Sequence, residues 1–307
     1  MLSLAALVIP VFALIGLGYA ARVTRYVSDR TGDGLSEFIF AVAVPMLIFK
    51  TLSSATLPAA QPWGYWISYF AGVFIVWGLA TFAAGRLFHL SQAESTVAGF
   101  VAGQANTVMM GIPMILAAFG EDGAAPLFLL IAIHLPIVMS VATVQIEGRN
   151  AHLGQTFAKL ARNPIVVAVI AGAVARLIGY SPSGVIKTVV DLLAQASTPC
   201  ALFAMGVALH RYGLRGGWRL PALVTALKLA VHPLIVFVLA RHVFSMPPVW
   251  SGVAVLFASC PCGVNAYLFA ERYKAGASLA SSSIAISTSL SIVSIVFWLW
   301  MLGVHLN

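Results

Sequence analysis

Ten stretches of this chain stay apolar over about the 20 residues that a helix needs to cross the hydrocarbon core of a bilayer. They fall at roughly 2–21, 34–53, 63–88, 93–118, 124–146, 163–180, 184–209, 218–242, 248–270 and 277–303. Of the 307 residues, 61% are hydrophobic and 8% charged, against about 25% charged in a soluble domain. No polar tract is long enough for a separate soluble domain. The opening "MLSLAALVIPVFALIGLGYAAR" lacks the basic start of a signal peptide, so it is expected to be the first span. The expected fold class is an all-α membrane protein with ten transmembrane helices.

The formal net charge of +8 would point to nucleic acid in a soluble protein, but here the basic residues sit in short loops. Alternate loops differ. One side collects Arg22, Arg25, Arg30, Arg86, Arg149, Lys159, Arg162, Arg211, Arg215, Arg219, Arg272 and Lys274, and the other has Lys50, Arg176, Lys187 and Arg241. The rich side is expected to be cytoplasmic. That puts both termini on the outer, periplasmic side of a bacterial inner membrane. Cys200, Cys260 and Cys262 all lie inside apolar segments. Neither a disulfide framework nor a zinc site is expected, and no cofactor or metal.

The chain also matches itself. A shift of 154 lays Pro10 on Pro164, Gly18 on Gly172, Arg22 on Arg176, Glu37 on Asp191, Pro45 on Pro199 and Phe49 on Phe203. The unit holds five spans, and an odd number makes the second copy enter from the opposite side. Expected units are residues 1–147, a cytoplasmic linker at 148–162, and an inverted second repeat at 163–307. Small gaps carry the shift to 156, which lays Ala105-Asn106 on Pro261-Cys262, about 12 residues into the fourth and ninth spans.

Both positions look like flaws in a membrane helix. "GQANTVMMG" and "ASCPCGVNAY" carry Gly, Pro and amide side chains at mid-membrane depth, where freed backbone groups are tolerated only inside protein or beside a wet cavity. Two such breaks in matching places are the best sequence pointer to a transporter's substrate site. Half-helix N-termini offer N–H groups and positive dipole ends to an anion. Gln104, Asn106 and Asn265 add amide donors. The candidate substrate site is Gln104, Ala105, Asn106, Thr107, Cys260, Pro261, Cys262, Gly263 and Asn265. The competing reading makes Gln104 and Asn106 polar glue between helices.

Glu37, Asp191, Lys228, Pro45 and Pro199 are candidates for coupling or gating. Glu37 also reads as a solvated first-turn acid, whereas Asp191 lies deeper. Lys50 can snorkel outward; Lys228 is too central and calls for a partner or a cavity. His134 and His232 read as core residues or as a proton relay. The serine-rich "SLASSSIAISTSLS" reads first as a helix-packing face and second as cavity lining.

Several motifs, in order along the chain, resemble those of the auxin efflux carrier family, which includes plant auxin carriers and bacterial malonate and malate permeases. They are "FAVAVPMLIFKTLS" (40–53), "NTVMMGIP" (106–113), "RNP" (162–164), "TPCALFAMGVAL" (198–209), "KLAVHPL" (228–234) and "CPCGVNAYLFAERY" (260–273). The resemblance implies two inverted five-helix repeats, a scaffold domain, and a transport domain with broken crossover helices in spans 4 and 9. It also implies carboxylate binding at the crossover, with Asn106 as a ligand. One departure is Ala105, where the plant-type motif has proline; a softer fourth-span break is expected. The short linker resembles the bacterial members.

The expected function is alternating-access transport of a small organic anion, a mono- or dicarboxylate such as malonate, malate or an auxin-like acid. Its partners would be that anion, the lipid bilayer and a coupling ion, H⁺ or Na⁺, with a homodimer left open and no nucleic acid. A channel or sensor on the same fold is one alternative. Another is an intramembrane enzyme using Cys260 or Cys262, which would need a base beside the thiol.

Overall fold

The computed structural model describes residues 2–54, 63–148, 154, 158, 161–214 and 216–304. The linker 148–162 falls largely outside the described residues, as do Arg149, Lys159 and Arg215. Twelve helices organise the described chain. They are α1 (Leu2–Val23), α2 (Asp29–Ser54), α3 (Trp63–Arg86), α4 (Gln92–Gly103), α5 (Ile112–Phe119), α6 (Ala124–Glu147), α7 (Pro164–Leu177), α8 (Gly184–Leu209), α9 (Arg219–Val243), α10 (Pro248–Ser259), α11 (Val264–Arg272) and α12 (Ala277–Met301). Six helical stretches among them are long and apolar enough to cross a membrane. Large apolar side chains such as Phe82, Ile170, Leu192 and Val293 face outward, as lipid contact requires. This is an integral, multi-pass membrane architecture.

Helix α2 begins at Asp29, earlier than the span boundary of 34 read from the sequence. The Ser28 side chain caps it by accepting from the Thr31 N–H. Asp29 then receives a two-pronged hydrogen bond from Arg22 at 2.8 and 2.7 Å. The glycines and charges of "RYVSDRTGDG" therefore form a capped helical start where punctuation had pointed to a loop.

Prolines shape the helices in a regular way. A π turn at Ile39–Ala43 precedes Pro45, one at Thr107–Gly111 precedes Pro113, and one at Leu227–Val231 precedes Pro233. Proline has no N–H to give and its ring crowds the carbonyl four residues back. Widening the turn by one residue relieves both.

The helices sort into two packing groups. In the first, α8 packs on α1 and α2, and α2 packs on α7. Gly18 lies against the Phe203 carbonyl, Gly206 against the Ile15 carbonyl, and Gly172 against the backbone of Phe49. Any side chain there would push the helices apart, as at other small-residue contacts in membranes. In the second group, α3 packs on α4 and α9, and α10 packs on α9. The Trp77 indole sits over Gly99 and Gly103 and donates to Gln145 at 3.0 Å.

Loops gather at two ends. At one, Arg211 binds Asp33 at 2.7 Å, and Tyr273 donates to Glu147 at 2.5 Å. Leu87, Arg219 and Ser278 line a shared cavity at this end. Another cavity brings together Lys50 from the end of α2 with Glu121, Asp122 and Pro247 from two connections.

Candidate functional site

The two interruptions meet. Helix α4 stops at Gly103, and Gln104 turns extended (φ −85, ψ 126). Helix α10 stops at Ser259, and Cys260 is likewise extended (φ −60, ψ 144). Ala105 and Cys262 form an isolated antiparallel bridge. The Asn106 N–H donates to the Pro261 carbonyl at 2.8 Å, and the Gly263 N–H to the Gln104 carbonyl at 3.2 Å. Each break thus supplies the hydrogen bonds that the other lost, which is how a buried backbone can leave the helix at all. Ala105 stands where the plant-type motif has proline and a softer break was expected, yet the chain departs from helix all the same. The partner segment, rather than a proline ring, holds the fourth-span break open.

Side chains finish the accounting. Ser287, within the serine-rich stretch on α12, accepts from the Cys262 N–H at 3.0 Å. His134 Nε2 accepts from the Ala105 N–H at 3.5 Å, while its Nδ1 lies 3.0 Å from the Tyr69 hydroxyl. The Asn106 amide donates to Met205 Sδ on α8 at 3.1 Å, tying the crossing to the first packing group. Gly263 is required by contact. A Cβ there would overlap Gln104 Oε1 and come within 2.8 Å of the Ala105 carbonyl oxygen.

A cavity of about 310 Å³ opens on the crossing, a volume in the range of small-ligand sites. Gln104, Ala105, Asn106, Thr107, Gly263 and Asn265 line it at the crossing; Asp33, Ser36, Glu37, Arg211 and Tyr212 add polar groups, and Phe40, Met109 and Leu268 are among the apolar ones. The helical segments restarting at Thr107 and Val264 both present their N-terminal residues to it. Helix starts carry the positive end of the dipole and N–H groups without helical acceptors. Gln104 Oε1 is buried with no hydrogen-bond partner. A flip about the last torsion exchanges that oxygen for an NH₂ donor. The base of the cavity is therefore neutral, with the side-chain amides of Gln104, Asn106 and Asn265 as its donors, since the Asn106 and Thr107 N–H groups already bond the Pro261 and Ala105 carbonyls.

The remaining candidates separate. Cys260, Pro261 and Cys262 are buried behind the cavity wall; the Cys260 thiol donates to the Leu256 carbonyl at 3.4 Å. Among the described residues, no imidazole or carboxylate hydrogen-bonds either thiol. Glu37 is exposed within the cavity. Asp191 does not line the cavity and pairs with Lys50 at 2.7 Å and Lys187 at 2.6 Å, so Lys50 is an ion-pair partner and not a free snorkelling cation. Pro45 is buried in α2 and Pro199 exposed on α8, and neither lines the cavity. Lys228 is fully buried, 3.1 Å from His232 Nδ1.

The mouth escaped the sequence reading. Arg211 contacts Asp29 and Asp33 there, and these hydrogen bonds, Asp33 first, raise its already high pKa. Burial pushes the neighbouring Tyr212 phenol up to about 12, so it is a neutral hydroxyl. Arg211 had looked like one more loop cation.

Broken helices meeting at a cavity that carries amide and charged groups inside an apolar bundle point to a class, the polytopic membrane transport proteins. The family described as "Membrane transport protein" matches residues 4–156 and 150–299. A protein of Rhizobium meliloti named "Putative malonate transporter" is 31% identical, covering 98% of this chain and 97% of its own. An uncharacterized transporter of Methanothermobacter thermautotrophicus is 24% identical over 95% of this chain and 96% of its own. Another, of Escherichia coli K12, is 20% identical over 95% and 96%. The chain belongs to this membrane transport protein family, that of the auxin efflux carriers.

Proposed function

We propose that the protein carries a small carboxylate of the malonate class across the membrane by alternating access, with the cavity at the crossing as its binding site. The observation that carries this reading is the pairing of Ala105 with Cys262 at the floor of a cavity edged by two helix starts. Amide and backbone donors can hold a carboxylate without a buried cation and still release it. The name of the Rhizobium meliloti relative points to the same class of substrate.

The architecture proposed is ten spans in two inverted repeats, 1–147 and 163–307, joined by the linker 148–162. Contacts support it. Under the shift of 154, Gly18 becomes Gly172 and Phe203 becomes Phe49; the contact between Gly18 and Phe203 thereby turns into the one between Gly172 and Phe49. At the crossing, a shift of 156 turns the pair Ala105 and Cys262 into Pro261 and Asn106, which are also bonded. Contacts that exchange in this way support a two-fold relation between the repeats. The tightly packed group of α1, α2, α7 and α8 is the scaffold, and the group bearing the crossing moves past it. Arg22 and Arg211 lie at the end where the cavity opens, which by the positive-inside rule is cytoplasmic and leaves both termini outside.

The test is counterflow of labelled malonate in vesicles containing the purified protein. Saturable exchange is expected, whereas a linear, unsaturable flux would replace the carrier by a channel. Cys260→Ser/Cys262→Ser keeps the exchange rate within about fivefold, roughly 1 kcal/mol, because the thiols bond only backbone or Ser287 neighbours. Loss of all flux in that variant, with the fold intact, would revive a cysteine-dependent chemistry. Glu37→Gln is expected to lower the malonate KM about two- to fivefold at low salt, by removing a like charge from a solvated cavity wall. An unchanged or higher KM would mean that Glu37 does not face the bound anion.

A further inference from the structure

Lys228 has no exposure at all and lies in the π turn Leu227–Val231. None of the ion pairs among the described residues includes it. Among the described residues its hydrogen-bond partner is His232 Nδ1 at 3.1 Å, and the buried His232 ring also lies against the backbone of Tyr69. These are two bases without a carboxylate, and a proton on Lys228 is donated to the imidazole lone pair. The other titratable groups facing the pair are Tyr69 from α3, whose ring centre is 5.4 Å from that of His232, His134 from α6, and Cys260 and Cys262 from the crossing. Helix α12, which packs beside them, contains no titratable residue.

We propose that the Lys228–His232 pair binds a proton that travels with the carboxylate, making the carrier a proton–anion symporter. The inference rests on the carrier reading above. A cation in mid-bundle without a counter-ion is costly, and a carboxylate is costly there for the same reason. The π turn that bears Lys228 packs on α10, the helix that ends at the crossing. Anion and proton therefore favour each other's binding, and by linkage the effect is reciprocal. Placement matters as much as charge. Helix α9 packs on α3 and α10, in the group that holds the crossing, so one movement carries both sites across. The ion pairs of Asp191, on α8, and of Arg211, just past its end, stay with the scaffold. On the far side the anion leaves, the proton follows, and the pair returns uncharged.

The experiment uses sealed vesicles with the full-length protein, labelled malonate, and the membrane potential clamped at zero by valinomycin and equal potassium; protein-free vesicles set the background. With one proton per anion, an inward gradient of one pH unit raises steady-state accumulation in the wild type about tenfold. Lys228→Met and Lys228→Arg both lose that accumulation: the first holds no proton and so also binds malonate more weakly, raising its KM in counterflow, and the second releases none. Wild-type accumulation that ignores the gradient would overturn the proposal without recourse to any variant. So would a tenfold response in Lys228→Met. Absence of malonate counterflow in the wild type overturns the carrier reading and this inference together, whereas counterflow without a proton response overturns the inference alone.

Discussion

Gly263→Ala reduces transport at least 100-fold, about 2.7 kcal/mol or more. Its backbone is ordinary (φ −84, ψ 149), so conformational freedom is not why glycine is needed. The reason is space. The added methyl overlaps the Gln104 side-chain oxygen and lies 2.8 Å from the Ala105 carbonyl oxygen. Gln104 can swing away; the carbonyl belongs to the segment bridged to Cys262 and cannot. Overpacking of this sort typically costs about 1–3 kcal/mol in stability. Here the strain falls on the two hydrogen bonds that hold the breaks together. Shortening the glutamine should therefore not rescue the variant. Gly263→Ala and Gly263→Ala/Gln104→Ala are expected to be similarly inactive in malonate counterflow. Recovery of the wild-type rate in the double variant would mean that the side chain alone was in the way. Thermal unfolding in detergent separates a lost site from a lost fold.

The same contacts show what a sequence can and cannot reveal. The breaks were legible because glycine, proline and amides at mid-span contradict the surroundings, and lipid leaves such contradictions few explanations. The register of Ala105-Asn106 on Pro261-Cys262 marked them as equivalent, and their crossing was implied by the family resemblance. The small-residue face at 278–291 was read correctly as packing, but nothing singled out Ser287 as the acceptor for Cys262 among so many serines. Arg211 and Asp33 were invisible as a cavity mouth, because the two residues come from distant helix ends and each looks like ordinary loop charge. Asp191 seemed destined for burial by its depth; Lys50, from a helix far away in sequence, meets it instead. Periodicity and punctuation record what each helix needs from its surroundings, and they are silent on which neighbour provides it.

Asn106→Ala should separate binding from architecture most cleanly. The residue's backbone N–H makes the bond to Pro261 and its carbonyl accepts from Gly111 at 3.1 Å. Alanine keeps both. What it loses is one amide, 6% exposed and facing the cavity, whose protein contact is the Met205 sulfur, a weak acceptor. Structural glue would behave differently: polar contacts between membrane helices average about 0.6 kcal/mol, so a merely structural Asn106 would cost a few degrees of melting temperature and leave transport nearly intact. A donor to the substrate carboxylate contributes more, because a charge-assisted hydrogen bond in a desolvated site is worth about 1.5–3 kcal/mol. Together with the carboxylate oxygen left unpaired, the expected result is a fall of about 100-fold or more in malonate kcat/KM with little change in thermal unfolding. Met205→Leu removes the sulfur but leaves the amide and should be nearly silent. A large loss of stability with a proportionate loss of flux in Asn106→Ala would make the residue glue after all, and the binding site would then have to be sought nearer Gln104 and Asn265 on the same wall.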